Sequence, residues 1–309
     1  MMNICLLAAG GMMPLPNRYL TAMVASCNGS MILVDCGEGT QILLKKLKWG
    51  LKAIDVICFT HYHADHIAGL PGLLSTVGNS DRKEPLTLIG PKGLKEIVKG
   101  LTVITPELPY DINFVELSEE GMKDYIHKDY VINALQVDHS IDCMAYSIEA
   151  RRKRKFDKNR AKDENIPMKY WNRLQKGETI KEENHIFTPD RVLSEERKGL
   201  KVCYCTDTRP VSELVEFIKE ADLFICEGMY GDDSYIQRAL DTKHMLFSEA
   251  ASLSKEGKVK ELWLTHFSPS LYNPEEFLYV AQSKFENSVI GKELMIKELK
   301  FENEDIYTE

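Results

Sequence analysis

The chain has 309 residues, 44% of them hydrophobic and 28% charged, and a net charge of −8 at pH 7. This balance excludes a uniformly basic nucleic-acid-binding protein, although a local basic patch can still attract phosphate. Eight cysteines occur without a CxxC pair, and no apolar run approaches the roughly 20 residues of a membrane helix. We therefore expect a protein of the cytoplasm, where reducing conditions keep thiols free.

Apolar runs and turn signals predict an α/β arrangement in the first half of the chain. Strands are expected over residues 4–8, 20–25, 31–35, 56–60 and 86–89. The second and third of these form a predicted hairpin around Asn28-Gly29. A helix is expected over 41–48 with Thr40 as its cap, and another from Leu94.

The second half shows the same alternation, interrupted by a long polar segment. Strands are expected over residues 131–137, 145–149, 201–206, 223–226 and 261–265, and helices over 248–255 and 274–284. Between the second and third of these strands, residues 151–162 hold eight basic residues and one acidic residue, and 163–198 are mostly polar. Such a charge run is typical of a solvated surface or of a phosphate-binding feature.

The stretch Thr60-His61-Tyr62-His63-Ala64-Asp65-His66 is the most informative part of the sequence. It follows the apolar strand predicted at 56–60 and precedes a predicted loop and helix. Three imidazoles and a carboxylate within six residues suit zinc and its neighbours. The alternative is a solvated histidine patch, which clusters of this density rarely form. We therefore predict a metal site at the end of this strand.

The predicted strands end at candidate ligands far apart in the chain, namely His61, His139, Asp207, Glu227 and His266. Because ligands bind outside strand ends in open sheets, these side chains are expected to converge on one site. Two ions about 3.5–4 Å apart form a clamp for displacement at phosphorus and need more ligands than one motif supplies. A site built from both halves predicts a single large unit over 1–309 rather than two domains.

Several motifs together resemble the metallo-β-lactamase superfamily and, within it, the ribonuclease Z family of tRNA 3′-processing endonucleases. The Asp35-Cys36-Gly37-Glu38-Gly39-Thr40-Gln41 and Leu70-Pro71-Gly72-Leu73-Leu74 stretches are similar to that family in particular. The histidine motif is similar to the whole superfamily. Further matches lie at residues 89–93, 206–210 and 264–268.

The resemblance implies an α/β fold, a four-layer αβ/βα sandwich with a flexible substrate-binding arm inserted at 150–199. It implies two Zn²⁺ per chain, with Mn²⁺ or Fe²⁺ left open. The implied ligands are His61, His63 and His139 for one ion, Asp65, His66 and His266 for the other, and Asp207 as the bridge. Asp35, Glu38 and Asp138 are candidates for orienting the ligand histidines, or alternatively for shaping their loops by hydrogen bonds.

The resemblance also implies catalytic roles and partners. Asp65 would orient or deprotonate the attacking water, and His244 backed by Glu227 would protonate the leaving 3′ oxygen. Precursor tRNA would be the substrate, and the protein a homodimer without membrane attachment. The basic residues that would give the arm phosphate affinity are Arg151, Arg152, Lys153, Arg154 and Lys155.

The sequence departs from the family pattern at positions that bear on the substrate. Ser248 and Ser270-Leu271 stand where the family commonly has arginine and an Arg-Tyr pair, whose guanidinium groups suit phosphate. Three hypotheses stay open: a tRNA 3′-processing endonuclease, a phosphodiesterase of the same fold acting on smaller phosphate esters, and a non-catalytic RNA-binding relative. The complete set of candidate ligands disfavours the third.

Overall fold

A computed structural model describes residues 1–182 and 185–302 of the chain. The strands are β1 Met2–Ala8, β2 Ala22–Cys27, β3 Ser30–Val34, β4 Ile54–Cys58, β5 Leu86–Pro91, β6 Ile112–Leu117, β7 Met122–His127, β8 Tyr130–Val137, β9 Cys143–Arg152, β10 Ile180–Glu182, β11 His185–Phe187, β12 Arg197–Cys205, β13 Leu223–Glu227, β14 Leu262–Thr265, β15 Ser288–Ile290 and β16 Met295–Leu299. Every strand predicted from the sequence is present, with ends displaced by at most four residues.

The α-helices are α1 Thr40–Leu47, α2 Ala64–Ile67, α3 Leu70–Gly78, α4 Leu94–Leu101, α5 Lys158–Asp163, α6 Met168–Gln175, α7 Ser212–Phe217, α8 Ile236–Thr242, α9 Phe247–Glu256 and α10 Leu278–Gln282. The predicted cap of α1 is wrong. Gly39, in the left-handed conformation at φ 82°, occupies that position, and Thr40 lies in the first turn with its hydroxyl donating to the Gly37 carbonyl. In residues 1–182 and 185–302, no helix combines the length and apolarity needed to cross a bilayer.

Two seven-stranded sheets form the larger of two compact units, which comprises residues 1–150 and 200–309. The first sheet has the strand order β16-β1-β2-β3-β4-β5-β6, and the second has the order β15-β14-β13-β12-β9-β8-β7. The strand β16, which the sequence analysis did not predict, pairs antiparallel with β1 and extends the first sheet at its edge. Both sheets are mixed, with parallel strands in the part that carries the candidate site.

The apolar side chains of this unit separate into three buried layers. Side chains of both sheets, among them Ile4, Val56, Tyr146 and Val202, share one cluster between the sheets. A second cluster joins the outer face of the first sheet to α1, α3 and α4, and a third joins the second sheet to α7, α9 and α10. The order helix, sheet, sheet, helix confirms the predicted four-layer sandwich.

Strand register brings the ends of distant strands to one edge. In the first sheet Val34 is paired with Cys58, so the residues after β3 and β4 leave the sheet together. In the second sheet Cys205 is paired with Cys226, and Glu227 with Thr265. The loops that carry the candidate ligands therefore start from neighbouring strand ends, as the sequence predicted.

Residues Arg151–Gly199 form the second compact unit. It contains α5, α6 and the β10–β11 hairpin, and it has a small core of its own made of Ala161, Ile166, Tyr170, Leu174, Ile180, Phe187 and Val192. Phe156 and Trp171 pack against this core with ring centroids 5.4 Å apart. The aromatic residues of this polar segment therefore serve its folding, and its use as a substrate-binding arm stays a prediction.

The contacts of the buried Arg82 guanidinium lead to a testable prediction about the stability of the fold. Its side chain is 1% exposed and donates to four backbone carbonyls, of Lys52, Ile54, Glu84 and Pro85, and to Asp55 Oδ1 at 3.3 Å. A lysine has only three donors on one atom and cannot satisfy these acceptors together. We expect Arg82→Lys to lower the free energy of unfolding by about 2–3 kcal/mol in urea denaturation.

Arg160→Lys is the matched control, because this arginine is exposed and pairs with a partly exposed carboxylate, that of Asp157. We expect it to change the free energy of unfolding by less than about 0.5 kcal/mol. Equal stability of the Arg82 variant and the wild type would show that the carbonyls find other donors.

Candidate metal centre

Loops at one edge of the two sheets carry the candidate ligands. His61 and His63 follow β4, and Asp65 and His66 lie in the short helix α2, for which His63 is the N-cap residue. His139 follows β8, Asp207 follows β12 and His266 follows β14. The structure brings all seven predicted ligands together, with donor atoms within 4.8 Å of one another in each of two groups, one of His61, His63, His139 and Asp207 and one of Asp65, His66 and His266. A third such group, Asp207, His244 and His266, connects them.

The first group contains three histidines and one oxygen of Asp207. His63 Nδ1 lies 3.0 Å from His61 Nε2 and 3.3 Å from His139 Nε2. Asp207 Oδ1 lies 3.9 Å from Nε2 of both His61 and His139. Four donors at about 2.0–2.1 Å around a tetrahedral ion are separated by roughly 3.3 Å, which these separations approach.

The second group uses the other oxygen of Asp207. His66 Nε2 and His266 Nε2 lie 3.2 Å apart, and each lies 3.4 Å from Asp65 Oδ2. Asp207 Oδ2 is 3.2 Å from His66 Nε2 and 3.3 Å from His266 Nε2. These five separations match the edges of a tetrahedron around an ion of zinc's size.

Whether these residues fit metal ions can be judged from the hydrogen-bond partners of their buried polar atoms. Asp207 is 3% exposed, and its Oδ2 has no hydrogen-bond partner in the described part of the chain. Leaving a buried carboxylate oxygen without a partner costs free energy unless a cation is close. His66 Nε2 and His266 Nε2 lie 3.2 Å apart, with Oδ2 atoms of both Asp65 and Asp207 within 3.4 Å of each, so two nitrogens and two oxygens converge on one point. The donor set therefore fits a pair of divalent ions with Asp207 between them.

The second nitrogen of three ligand histidines is held by a neighbour, which fixes each ring. His66 Nδ1 lies 2.8 Å from Asp35 Oδ2, and Asp35 also accepts from the backbone and hydroxyl of Thr60. His61 Nδ1 lies 3.0 Å from the Thr60 hydroxyl. His139 Nδ1 lies 3.3 Å from the Lys243 carbonyl. Asp35 therefore has the contact predicted for an orienting residue.

The other two residues considered for orienting histidines contact none of them. Glu38 is exposed, and Asp138 Oδ1 binds Lys243 Nζ at 2.6 Å. The backbone carbonyl of Lys243 takes the place at His139 that the sequence analysis considered for a carboxylate. A carbonyl carries no sequence signature, since every residue has one.

The loop after β1 closes one side of the second group. The backbone N–H of Met12 donates to Asp65 Oδ2 at 2.8 Å. A Cβ on Gly11 would lie 2.8 Å from the ring of His266, so only glycine fits beside this ligand. The sequence contains both glycines of this loop, but their contact with a residue 255 positions later cannot be recognised locally.

His244 lies beside the two groups and is paired with Glu227. Its Nδ1 is 3.0 Å from Glu227 Oε2, and its ring centroid is 5.3 Å from that of His139. Glu227 is fully buried, and its other oxygen accepts from the Thr208 amide. The Nε2 atom of His244 is therefore the nitrogen left to act on a bound substrate.

Burial and neighbouring charges shift the pKa values of the site's histidines in different directions. Burial lowers the pKa of His61 well below its usual value, and it also lowers that of His139, which favours the neutral imidazole that a metal requires. Burial acts in the same direction on His66, but the charges of Asp207 and Asp35 outweigh it and raise its pKa well above the usual value.

Relatives of known name decide the family. The ribonuclease Z of Clostridium acetobutylicum is 54% identical over 308 residues, covering 98% of this chain and 100% of that protein. The chain belongs to the ribonuclease Z family. The ribonuclease Z of Clostridium kluyveri is 55% identical over 303 residues, covering 97% of this chain and 99% of that protein. The resemblance stated from the sequence is thus confirmed.

Comparison with solved structures gives the fold that the ribonuclease Z relatives indicate. The crystal structure of the short form of human tRNase Z has a TM-score of 0.67 at 24% identity, covering 97% of this chain and 100% of that one. A sequence-family profile described as "Anti-Pycsar protein Apyc1" matches residues 2–108. The likeness to the human tRNase Z structure supports the fold of this chain. That the candidate ligands fit metal ions is inferred from the distances between their donor atoms.

The five basic residues predicted to bind substrate in this ribonuclease Z family member lie in the second compact unit, and the structure gives them different surroundings. Arg151 and Lys153 are exposed. Arg154 is partly buried, and its guanidinium binds Asp190 Oδ1 at 2.6 Å and the carbonyls of Leu193 and Ser194. Arg154 therefore stabilises its own unit, a role that the run of basic residues in the sequence does not indicate.

Proposed function

We propose that the chain is a zinc-dependent endoribonuclease that cuts the 3′ trailer from precursor tRNA by hydrolysing one phosphodiester bond. One observation carries the proposal: two tetrahedral groups of donors share Asp207 and lie beside a histidine backed by a buried glutamate. Ribonuclease activity follows from membership of the family, and tRNA as the substrate follows from the resemblance of its motifs.

His61, His63 and His139 would hold one Zn²⁺, Asp65, His66 and His266 the other, with Asp207 shared. Two such ions supply Lewis-acid polarisation of the phosphodiester and make water acidic enough to attack near neutral pH. The nitrogen-rich first group suits zinc, and Mn²⁺ or Fe²⁺ are the alternatives. Metal analysis of protein purified without chelators would decide among them, and an ion other than zinc would overturn that part of the proposal.

We propose that Asp65 orients the attacking water or takes its proton. The Met12 amide and the two neighbouring imidazoles fix its Oδ2 atom, which orients the carboxylate. Burial would raise the pKa of Asp65, but His266 and His66 outweigh it and hold the pKa well below its usual range. The carboxylate is therefore ionised at neutral pH, the form that binds a cation and that can orient a water molecule by accepting a hydrogen bond from it.

We propose that His244 protonates the leaving 3′ oxygen. Burial alone would lower its pKa, but the charge of Glu227 and the hydrogen bond from it outweigh burial and raise the pKa of His244 to about 9. The imidazole is therefore protonated at neutral pH, with Nδ1 committed to Glu227 and Nε2 available to donate. As the bond from water oxygen to phosphorus forms, the bond from phosphorus to the 3′ oxygen breaks, and that oxygen takes the proton.

The distribution of charge supports an RNA-binding role for residues 151–199. This segment contains 15 Lys or Arg and nine Asp or Glu, a net charge of +6, whereas the rest of the chain carries −14. An acidic body repels a polyanion, so the basic unit is the part that can attract one. We propose that it is the substrate-binding arm.

We expect the exposed residues Arg151 and Lys153 to contribute more to RNA binding than Arg154, which is partly buried. We expect Arg151→Ala/Lys153→Ala to weaken precursor tRNA binding and to reduce the slope of log Kd against log salt by about two, roughly one per lost phosphate contact. Filter binding across salt concentrations measures both. Arg154→Ala is expected instead to lower the thermal stability of the segment, because its partners are internal.

A phosphodiesterase acting on smaller esters is the second candidate, and two contacts favour it. The Ser248 hydroxyl donates to Asp233 Oδ1 at 2.6 Å, and the hydroxyls of Ser268 and Ser270 are 2.8 Å apart. At positions 248 and 270, where the resemblance leads one to expect arginine, the chain offers serines with hydroxyls engaged internally rather than cations for an RNA backbone.

Cleavage of a precursor tRNA with a 3′ trailer, wild type beside His63→Ala, separates the candidates. A single cut next to the discriminator base that the variant fails to make is expected, since His63 Nδ1 contacts both other histidines of its group. A metal-replete protein that leaves the precursor intact but hydrolyses a small diester would favour the second candidate. Metal-free protein that binds tRNA without hydrolysis would revive the non-catalytic hypothesis.

We also propose that the protein acts as a homodimer, which the family resemblance implies, and that it works in the cytoplasm, which its cysteine usage indicates. The eight cysteines, all buried and free, are in line with a reducing compartment. Light scattering on the purified chain tests the assembly, and a monomer at micromolar concentration would contradict it. Fractionation of cells tests the location.

A further inference from the structure

The segment between α8 and α9 is held at four successive residues, each by a different partner. The contacts are Lys243 O with His139 Nδ1 at 3.3 Å, His244 O with Arg209 Nη1 at 2.5 Å, Met245 N with Glu227 Oε2 at 3.1 Å, and Leu246 N with Glu249 Oε2 at 2.9 Å. Lys243 itself is in the left-handed conformation at φ 55°. A loop fixed at every residue holds His244 in one orientation, which proton transfer at a defined atom requires.

Two of these partners, Arg209 and Glu249, are bound to each other. Arg209 Nη1 lies 2.8 Å from Glu249 Oε2, and Nη2 binds Oε1, so the guanidinium and carboxylate meet as a two-pronged pair. The side chains are 13% and 21% exposed. The same guanidinium therefore joins the start of α9 to the carbonyl of His244.

The backbone of Arg209 ties this pair to the metal-binding groups. Its N–H donates to the Asp138 carbonyl at 3.0 Å, directly before His139, and it follows Asp207 by two residues. One residue thus has its main chain among the candidate ligands and its side chain on the backbone of His244. Such an arrangement fixes the distance between the phosphate-binding part of the site and the proton donor.

We propose that Arg209 and Glu249 are positioning residues that hold His244 for proton donation to the leaving 3′ oxygen, a role that rests on the proposed function. Glu227 holds the imidazole through Nδ1, and the Arg209–Glu249 pair holds the main chain that carries it. Neither Arg209 nor Glu249 gives up or takes a proton in this role. Without the pair, the segment loses its contacts at the His244 carbonyl and the Leu246 amide, and Nε2 moves off the line to the leaving oxygen.

A change of leaving atom distinguishes positioning of the acid from a general structural effect. Two precursor tRNAs are compared in single-turnover cleavage, one natural and one with sulfur replacing the 3′ oxygen at the cut. A thiolate leaves without a proton, so the sulfur substrate does not need His244. The variants are Glu249→Gln and Arg209→Lys, each also combined with His244→Ala, and metal content and thermal stability are measured in parallel.

For each single variant we expect cleavage of the natural substrate to fall about 10- to 100-fold, as a displacement near 1 Å does, with the sulfur substrate and the metal content unchanged. In the His244→Ala background neither change is expected to slow cleavage further, because the group being positioned is already absent. The control is Glu261→Gln, which removes the carboxylate charge from another partly buried ion pair, that of Glu261 with Lys297. We expect it to alter the cleavage rate of neither substrate.

Equal losses on both substrates, or a further loss on top of His244→Ala, would overturn the positioning role and leave the proposed function standing. A loss of bound metal in either single variant would do the same. A wild-type protein that cuts neither precursor would overturn the proposed function, and the positioning role with it.

Discussion

Replacing Asp207 with asparagine is expected to abolish cleavage of precursor tRNA and to lower the metal content below two ions per chain. The two carboxylate oxygens serve different groups, with Oδ1 3.9 Å from His61 Nε2 and Oδ2 3.2 Å from His66 Nε2. An amide offers one neutral oxygen, so one group loses its fourth donor and both lose the shared negative charge. We expect single-turnover cleavage to fall by about 10³-fold or more.

Metal content measured by mass spectrometry and the zinc-induced rise in Tm give readouts independent of activity. An ion that binds only the folded chain raises Tm, and a weaker site gives a smaller rise. Asp222→Asn is the matched control, because Asp222 is also a buried aspartate, with Lys201 N and Lys260 Nζ as partners. We expect this control to lower Tm while keeping two ions. Full metal content and wild-type cleavage in Asp207→Asn would contradict the shared ligand.

The grouping of ligands was predictable because it follows from local sequence and from one rule of topology. Residues Thr60–His66 are contiguous, so a strand that ends and a helix that starts there must present their side chains together. Parallel strands end at a common edge, which brings Asp207 and His266 to the same place once β12 and β14 are recognised as neighbours of one strand. The predicted strands at 201–206, 223–226 and 261–265 sufficed for that recognition.

The remaining features depend on contacts that no local pattern encodes. The strand β16 is short and half-buried, and its pairing with β1 joins the two ends of the chain. The Arg209–Glu249 pair joins residues 40 positions apart, and no spacing or motif in the sequence relates them. The Thr40 prediction failed because a polar residue near a helix start was favoured over the left-handed conformation at Gly39. Register and side-chain direction decide each case, and both come from tertiary packing.

Replacing His244 with alanine is expected to slow cleavage of precursor tRNA by about 10²–10⁴-fold while both metal ions stay bound. Its Nδ1 is committed to Glu227 at 3.0 Å, and the seven ligands of the two tetrahedral groups are complete without it. The expected pattern is therefore the reverse of Asp207→Asn, with the rate lost and the metal retained. His127→Ala is the control, since His127 lies beside Asp55 and outside these groups. Loss of an ion with His244 would reassign it as a ligand.

The Glu227→Gln variant separates proton donation by His244 from packing. A general acid works only when protonated, so activity that depends on it is retained below its pKa and lost as pH rises through that value. Glu227 raises the pKa of His244 to about 9, and glutamine keeps the shape but removes the charge responsible. We therefore expect the decline in kcat at high pH to move to lower pH in Glu227→Gln. An unchanged pH profile with a uniformly lower rate would assign Glu227 a packing role only, because packing has no reason to shift a titration.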